Sequence, residues 1–263
     1  GSTHAAMKGL IHTDILLKAL LNASAGLRQP GTRVSHVFLA DIPAYPKLLA
    51  ISDAAVNIAP DLSAKAAILQ HAIDLMASIG VDLPKAAILS AVETVNPLIS
   101  SSLDAAALSV MSHRGQVRGA LVDGPLAFDN AISLKAAEVK GIASPVAGDA
   151  DILLVPDLVS GNILAKSLEY MADATLAGLV LGLNAPIVLP SRADPVDARL
   201  AGLALARLSL AAKARESAPQ DKAPVWPVHA TRSSPMPEVD CCPPSDPTPT
   251  SPTSLNGGAH AEP

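Results

Sequence analysis

The sequence predicts an α/β fold, with a mostly parallel sheet and helices on both of its faces. Short apolar segments alternate with amphipathic segments along most of the 263 residues, and this alternation is typical of right-handed βαβ units. Apolar residues make up 49% of the chain but aromatic residues only 2%. The core is therefore expected to consist mainly of Ala, Leu, Ile and Val, as in parallel strands that are buried on both faces.

Seven strands are predicted from apolar runs that polar or turn-forming residues interrupt. The first two are expected to pair as a hairpin, because Pro43 and Pro46 form a turn between them. The predicted strands cover residues 33–40, 47–53, 86–92, 117–124, 149–157, 178–183 and 185–191.

Six helices are predicted from apolar residues at helical spacing and from capping residues. Thr13 is the predicted N-cap of the first helix, Asp61 or Ser63 begins the second, and Gly80 ends it. The predicted helices cover residues 14–24, 61–79, 104–113, 133–140, 160–173 and 195–214.

Composition changes at the C-terminal end and excludes several classes of protein. Residues 216–263 contain 11 of the 23 prolines and few large apolar residues, which predicts a disordered tail because little surface can be buried. The net charge of −5 indicates no nucleic-acid surface. The only cysteines, Cys241 and Cys242, are adjacent and fit neither a disulfide framework nor a zinc site. Because we find no membrane-spanning run and no apolar signal segment, we expect a cytoplasmic protein.

The strongest candidate site lies where the last strand meets the last helix. Ser191, Arg192 and Asp194 stand in this connection, and strand ends that feed a helix are where open α/β sheets bind ligands. Helix amides and a guanidinium together favour a phosphate or an oxyanion. A purely structural interpretation is also open: Asp194 is an ordinary N-cap, Pro195 the first helical residue, and Asp197 a favourable charge near the helix start.

The chain resembles the phosphate acetyl/butyryl transferase family in six runs of sequence, spread over about residues 7–210. Each run is weakly specific alone, but their joint order is specific. They are MKGLIHTD (7–14), ISDAAVNIAPD (51–61), AILSAVETVNP (87–97), DGPLAFDNAIS (123–133), SPVAGDADILLVPDLVSGN (144–162) and LPSRAD (189–194).

This resemblance implies an enzyme that converts an acyl-CoA and phosphate into an acyl phosphate and free CoA. It also implies a two-lobe fold like that of the isocitrate and isopropylmalate dehydrogenases, with the site in the cleft between the lobes. The segment that builds most of the family's first lobe has no counterpart here. Residues 1–19 and 186–215 would be the remnant of the first lobe, residues 20–185 the second lobe, and 216–263 a tail outside the family pattern.

The resemblance assigns roles to the residues of the strand–helix connection. Arg192 would hold phosphate or polarise the acyl carbonyl, and Ser191 would hydrogen-bond the reacting oxygen or sulfur. A base is needed because the thiolate of CoA is the nucleophile in the direction that consumes acyl phosphate. Asp194 and Asp197 are the candidates, and Asp197 is preferred because a capping carboxylate has a lowered pKa and is a poor base.

Six further residues are predicted to bind substrate, and most of them have a structural alternative. His12 would serve a hydrogen bond, Lys18 would pair with Asp14 one turn earlier, and Asp123 and Asn130 would shape a Gly-Pro turn. The six predicted substrate-binding residues are Lys8, His12, Thr13, Lys18, Asp123 and Asn130. No metal-ligand spacing is found, and the transfer requires neither a metal nor a cofactor beyond CoA as substrate.

Two functions of different classes follow. The first is a phosphate acyltransferase that forms a homodimer through its second lobe and binds acyl-CoA and phosphate, without nucleic-acid or membrane partners. The alternative is a non-catalytic dimerisation module derived from that family, because a chain without the complete first lobe is expected to show little transfer. A dehydrogenase of the similar fold needs several Asp ligands for a metal, and the predicted loops do not assemble them.

Overall fold

The computed structural model describes residues 4–22, 26–28 and 31–217. In this part of the chain, eight strands form one sheet in the order β1-β8-β7-β2-β3-β6-β4-β5. The strands are β1 (Ala6–Met7), β2 (Ser35–Asp41), β3 (Leu49–Ser52), β4 (Lys85–Leu89), β5 (Leu121–Leu126), β6 (Ile152–Leu154), β7 (Thr175–Leu181) and β8 (Ile187–Val188).

The sheet is mixed, with parallel pairs in the majority. Strands β3, β6, β4 and β5 run parallel to one another, and β1 runs parallel to β8. Strand β7 is antiparallel to both of its neighbours, and β2 is antiparallel to β3. The predicted hairpin of the first two long strands is therefore confirmed, with Phe38 opposite Ile51 in register.

Seven helices cover the two faces of the sheet in the described residues, as the alternating pattern predicted. They are α1 (Thr13–Leu21), α2 (Leu62–Ser78), α3 (Ser100–His113), α4 (Phe128–Ile132), α5 (Leu134–Val139), α6 (Leu158–Met171) and α7 (Val196–Ser217). The predicted α/β class, with helices on both faces of a mostly parallel sheet, is confirmed.

The two faces are built around separate cores, because successive side chains of a strand point to opposite sides. Helices α2, α3 and α7 pack on the face that contains Leu179. Helices α4, α5 and α6 pack on the opposite face against residues such as Leu153. Helix α1 joins the side of Val180 and Ile187 through Leu20. On β7, Leu176 packs in the core of α6 and Val180 in the core of α1. The two residues are four positions apart and so point to the same side of the sheet, which means that α1 and α6 share one face.

Several predicted boundaries differ from those in the structure. Asp61 does cap α2, since its carboxylate accepts from the Ala64 amide at 2.7 Å, and Gly80 follows the helix with a φ of 98°. Thr13, predicted as the first N-cap, is instead the first residue of α1, and His12 takes the cap position without a side-chain cap bond. The strand predicted over 117–124 begins only at Leu121, because Gly119 adopts a φ of 83° and holds the preceding residues in a turn.

The domain prediction is not tested by this sheet. Strands β1 and β8 continue the same sheet as the strands of the predicted second lobe, and the division into a first-lobe remnant (1–19 and 186–215) and a second lobe (20–185) stays a prediction. Helix α7 runs through Ser217, two residues into the predicted tail. The predicted disorder of the rest of the tail concerns residues outside those described. No helix among the described residues is long and apolar enough to cross a membrane.

Candidate functional site

A cleft of about 420 Å³ lies on the face shared by α1 and α6. Strands β1 and β8 are parallel and adjacent, so the segments that follow them leave the sheet side by side at the rim of this cleft. The backbone amide of Lys8 donates to the carbonyl of Val188 at 2.9 Å and joins the two strand ends. The cleft is lined by Lys8, Ile11, His12, Thr13, Asp14, Phe38, Ala54, Ala55, Leu158, Asn162, Lys166, Leu189, Pro190, Ser191 and Arg192.

The connection from β8 to α7 presents Ser191 and Arg192 to the cleft. The Leu189 amide donates to the carbonyl of Gly178 on β7 at 2.9 Å. A Cβ on Gly178 would stand only 3.0 Å from the Leu189 carbonyl oxygen, so glycine permits this close approach. Beyond Pro190 the chain turns back on itself, because the Ser191 amide donates to the Asp194 carboxylate at 2.7 Å. Ser191 is half-buried and Arg192 is exposed, which leaves the guanidinium open to a ligand.

The structure corrects the interpretation of Asp194 as a helix cap. Helix α7 begins at Val196, and the hydrogen bond described for the Asp194 carboxylate comes from the Ser191 amide on the loop side of the helix. Partial burial raises the pKa of Asp194 above its ordinary value; the Ser191 amide lowers it in part and Glu169 raises it further. The predicted lowering of this pKa was therefore wrong, because sequence spacing does not reveal how much of the carboxylate is removed from water.

Asp197 lies in the first turn of α7 and is exposed. It does not line the cleft, and neither does Asp194. Asp194 is nevertheless tied directly to Ser191, which does. The raised pKa of Asp194 removes the reason for preferring Asp197 as the base, and both residues remain candidates.

Three predicted substrate-binding residues do meet in the cleft, namely Lys8, His12 and Thr13. Lys8 is buried, and its ammonium donates to the carbonyls of Gly9 at 3.2 Å and Ile11 at 3.4 Å. It therefore shapes the turn that leads into α1. His12 is exposed, and its carbonyl accepts from the Leu16 amide in the first turn of α1.

Lys18, Asp123 and Asn130 do not line this cleft, and their predicted role in substrate binding stays a prediction. Lys18 is exposed on α1 outside the cleft lining. Asp123 lies on β5, at the opposite end of the sheet from β8, and its carboxylate accepts from the Gly124 amide at 2.8 Å. Asn130 is fully buried on α4, 3.5 Å from the Glu93 carboxylate. Sequence order alone does not tell which end of a sheet a strand occupies.

Two polar cleft residues on α6 were not predicted, Asn162 and Lys166. They are four residues apart and so lie on one helical face. Their spacing is the signal that could have identified them. Helix α6 approaches β3 closely at Gly161, where a Cβ would lie 2.9 Å from the Asp53 carbonyl oxygen. This contact brings the Asn162 amide to 3.3 Å from the carbonyl of Ala54.

The wall opposite the Ser-Arg loop is fixed by a buried aspartate. One Asp53 carboxylate oxygen accepts from the amides of Ala55 and Val56, each at 2.9 Å. The other accepts from the His36 amide at 3.0 Å and from the Asn57 side chain at 2.6 Å. These four hydrogen bonds hold the turn after β3, which supplies Ala54 and Ala55 to the cleft.

A buried histidine stands beside the cleft residue Phe38. His36 is fully buried, and its ring stands against Phe38 with centroids 4.4 Å apart. Within the part of the chain that the structure describes, neither ring nitrogen has a hydrogen-bond partner. Burial lowers the pKa of His36 to about 4, although the Asp53 carboxylate opposes this. The ring is therefore neutral at neutral pH.

Among the described residues, no group of three or more His, Cys, Asp or Glu side chains could hold a metal ion. The ionisable groups at the cleft are instead cations and single carboxylates. Lys8, Lys166 and Arg192 line it together with Asp14, an arrangement suited to anionic groups.

Comparison with known proteins agrees with this geometry. Residues 1–206 match the family described as "Phosphate acetyl/butaryl transferase". The phosphate acetyltransferase of Rickettsia prowazekii (strain Madrid E) is 57% identical over 203 residues, covering 77% of this chain and 58% of the relative. The probable phosphate butyryltransferase of Bacillus subtilis (strain 168) is 50% identical over 200 residues, covering 76% and 67%.

A solved structure, that of a branched-chain phosphotransacylase from Enterococcus faecalis V583, superposes with a TM-score of 0.71 at 35% identity. The match covers 79% of this chain and 74% of that one. The chain spans less than two thirds of the Rickettsia relative. It belongs to the phosphate acetyl/butyryl transferase family.

Proposed function

We propose that this chain carries the Ser-Arg half of a phosphate acyltransferase site, which converts an acyl-CoA and phosphate into an acyl phosphate and CoA. The observation that carries the proposal is the meeting of Ser191, Arg192, Lys166 and the start of α1 in one cleft. The family relatives named phosphate acetyltransferase and phosphate butyryltransferase support it. The hydroxyl, guanidinium and ammonium groups of these side chains suit a reaction whose substrates are all anions.

The reaction passes through a tetrahedral centre whose oxygen carries negative charge, and the site must stabilise that charge. A phosphate oxygen attacks the thioester carbonyl, the new C–O bond forms, and the C–S bond breaks to release the thiolate of CoA. Arg192 lies where its fixed charge would hold the phosphate or the developing oxyanion. Ser191, half-buried beside it, would donate a hydrogen bond to the reacting oxygen or sulfur.

Asp194 is proposed as the proton-transfer group, in place of Asp197. It returns a proton to the departing thiolate and, in the reverse direction, removes that proton from the CoA thiol. Its raised pKa brings it closer to neutral pH than an ordinary carboxylate, which makes it a better base and a better acid there. The hydrogen bond from the Ser191 amide would aim the carboxylate toward the Ser191 end of the cleft.

The proposed acyl group is short. The apolar part of the cleft consists of side chains such as Phe38, Leu158 and Leu189, beside the Ser191 hydroxyl. The proposal includes CoA as a substrate rather than a cofactor, catalysis without a metal, and a cytoplasmic protein with neither nucleic acid nor membrane as partner.

The proposed assembly is a homodimer through the predicted second lobe. Exposed apolar side chains on its helices support self-association, among them Leu134 and Val139 on α5 and Val110 on α3. Sedimentation at micromolar concentration tests this part alone. A monomer mass there would contradict it and leave the acyl-transfer proposal untouched.

The activity is tested on this sequence joined to a complete first lobe, because the chain alone is expected to show little transfer. Acetyl-CoA or butyryl-CoA is supplied with phosphate in the presence of a chelator, and acyl phosphate and free CoA are measured. The expected result is equal formation of both products. Release of CoA without acyl phosphate would indicate a thioesterase. Self-association without either product would favour the alternative, a non-catalytic dimerisation module.

A further inference from the structure

Lys166 occupies a position between the cleft and a second charge. It lies on α6 one turn after Asn162, and both residues line the same cleft as Ser191 and Arg192. Its ammonium is 2.5 Å from a carboxylate oxygen of Glu169 and 5.6 Å from the centre of the Tyr170 ring. The Lys166 side chain is 36% exposed, whereas that of Glu169 is only 14% exposed. The lysine is thus open on the cleft side and paired on the other.

The other cations of the cleft are held differently. Lys8 is buried and already donates to two backbone carbonyls. Arg192 is exposed at the rim. A lysine ammonium has three donors, and one of those of Lys166 serves Glu169. Lys166 is therefore the lysine of the cleft whose existing partner is an anion that another anion can replace.

We propose that Lys166 is an exchangeable cation, which pairs with Glu169 when the cleft is empty and turns to a phosphate group when the cleft is filled. This inference rests on the proposed function for the identity of the anion, but not on turnover. Glu169 serves as the positioning residue that keeps the extended ammonium at the cleft between binding events. The competition between Glu169 and the ligand limits how tightly phosphate is held, which favours release of an anionic product.

The exchange has a consequence for Asp194. Three charged side chains act electrostatically on the pKa of Asp194, Glu169 and Lys166 from α6 and Arg199 from α7. The Ser191 amide in the loop is hydrogen-bonded to it. Glu169 raises the pKa of Asp194, and Lys166 and Arg199 lower it. When Lys166 turns to a bound phosphate, its charge is neutralised by the ligand and Glu169 loses its partner. Both changes raise the pKa of Asp194 and strengthen it as a base when substrate is present.

The test is calorimetric titration of the full chain with inorganic phosphate, without acyl-CoA. Lys166→Met should bind phosphate about tenfold more weakly, because a charge-assisted hydrogen bond is lost. Glu169→Gln should bind it about two- to threefold more tightly, because a unit charge several ångströms from the anion is removed in a solvent-accessible cleft. Lys135→Met, at an exposed position on α5 outside the cleft, is the matched control and should bind as the parent does.

Opposite signs for the two α6 variants are the distinctive result. If Glu169→Gln weakens phosphate binding as much as Lys166→Met does, the pair is a fixed scaffold and the exchange is wrong. Unchanged affinity in Lys166→Met, or no phosphate binding by the parent chain, would also overturn it. Circular dichroism of each variant checks that the fold is kept. Acyl transfer is measured separately, on the sequence joined to a complete first lobe. If that protein is inactive while phosphate affinity follows the predicted order, the proposed activity is refuted and this inference is retained.

A second readout follows Asp194 itself. Its carboxyl carbon can be titrated by NMR with and without phosphate. Phosphate should shift the midpoint to higher pH in the parent chain and by a smaller amount in Lys166→Met. An equal shift in both proteins would mean that Lys166 does not relay the presence of the anion.

Discussion

Two strand-end loops flank the cleft, and each contains an aspartate that is held in a different way. In the loop after β3, Asp53 is buried and accepts four hydrogen bonds, from three backbone amides and the Asn57 side chain. In the loop after β8, Asp194 is half-buried and accepts one, from the Ser191 amide. A carboxylate whose lone pairs are filled is a scaffold, whereas one with few partners can exchange a proton. Both residues are aspartates in a loop after a strand. The number of hydrogen-bond donors around each carboxylate is therefore what separates the two roles.

The surroundings of the loops follow the same division. The loop after β3 presents only Ala54 and Ala55 to the cleft, while the loop after β8 presents Ser191 and Arg192. The loop after β3 thus presents no ionisable or hydroxyl group to the cleft, and the loop after β8 presents the groups proposed to react. Removing Asp53 should therefore affect stability, and changing the Asp194 loop should affect turnover.

The largest expected effect is on turnover in Asp194→Asn. Loss of a general base typically costs about 10²- to 10⁴-fold, and an amide cannot accept the thiol proton. Asp197→Asn is the matched control, because Asp197 is exposed on the next helix and should leave turnover within about twofold. The rate of acyl phosphate formation measures both. Turnover lost in Asp197→Asn but kept in Asp194→Asn would restore the preference drawn from the sequence.

The pH profile sharpens the same assignment. In the reverse direction the base must be ionised, so the rate falls as pH drops through the pKa of Asp194. Because burial raises that pKa, the acid limb should lie at higher pH than for an ordinary Asp and should vanish in Asp194→Asn. An acid limb at the pH of an exposed carboxylate would point to a different base.

The next effect is expected for Arg192. Arg192→Ala should reduce turnover by about 10²-fold or more, because a preorganised charge at the developing oxyanion is lost. Arg192→Lys should recover only part of the rate, because a point charge does not reproduce a planar fork. Arg118→Ala is a suitable control, since that side chain bonds the Gly115 carbonyl away from the cleft. Full activity in Arg192→Ala would show that the loop after β8 is not the reactive wall.

The sequence could indicate the Ser-Arg loop as a candidate site because the residues that suggest it lie close together in the chain. A strand end, a hydroxyl, a guanidinium and a helix start all occur within Ile187 to Leu200, and the parallel pairing of β1 with β8 then brought Lys8 and His12 to them. The fold class was equally accessible, because the periods of strands and helices are properties of short segments. Hairpin pairing of β2 and β3 could be predicted for the same reason.

What the sequence could not supply depends on long-range placement. Asp123 and Asn130 belong to motifs of the same family, yet they lie at the β5 end of the sheet. Lys166 entered the cleft only through the packing of α6 against β3 at Gly161. The raised pKa of Asp194 comes from burial, which is a tertiary property. The surroundings of each of these residues are decided by contacts between segments far apart in the chain.

For the scaffold wall, the prediction concerns stability. Asp53→Asn should lower the free energy of unfolding by about 3 kcal/mol, because one carboxylate oxygen becomes an NH₂ group and buried donors lose their acceptor. The Asp194→Asn variant loses at most one such bond and should cost about 1 kcal/mol. Urea unfolding at pH 7 measures both. Equal losses would mean that the count of hydrogen bonds does not separate the two loops.

The smallest expected effect is the loss of stability at acidic pH that the buried His36 causes. Its pKa is lowered from 6.5 to about 4 by burial, so the unfolded chain binds a proton that the folded chain does not between these values. Stability is therefore fully present above about pH 6.5 and is lost as pH falls toward 4. Between pH 7 and pH 5 the loss from this group should be about 2 kcal/mol.

The variant His36→Leu should lack that loss, although the substitution itself changes stability at every pH. The comparison is therefore the slope of unfolding free energy against pH, measured for both proteins by urea unfolding. His71, which is hydrogen-bonded to Ser35 at 2.8 Å on the opposite face, also has its pKa lowered by burial, and it contributes to both slopes alike. If the slopes are identical for the two proteins, His36 does not keep a lowered pKa in the folded chain. Its ring would then be accessible to water from the cleft rather than buried in the core.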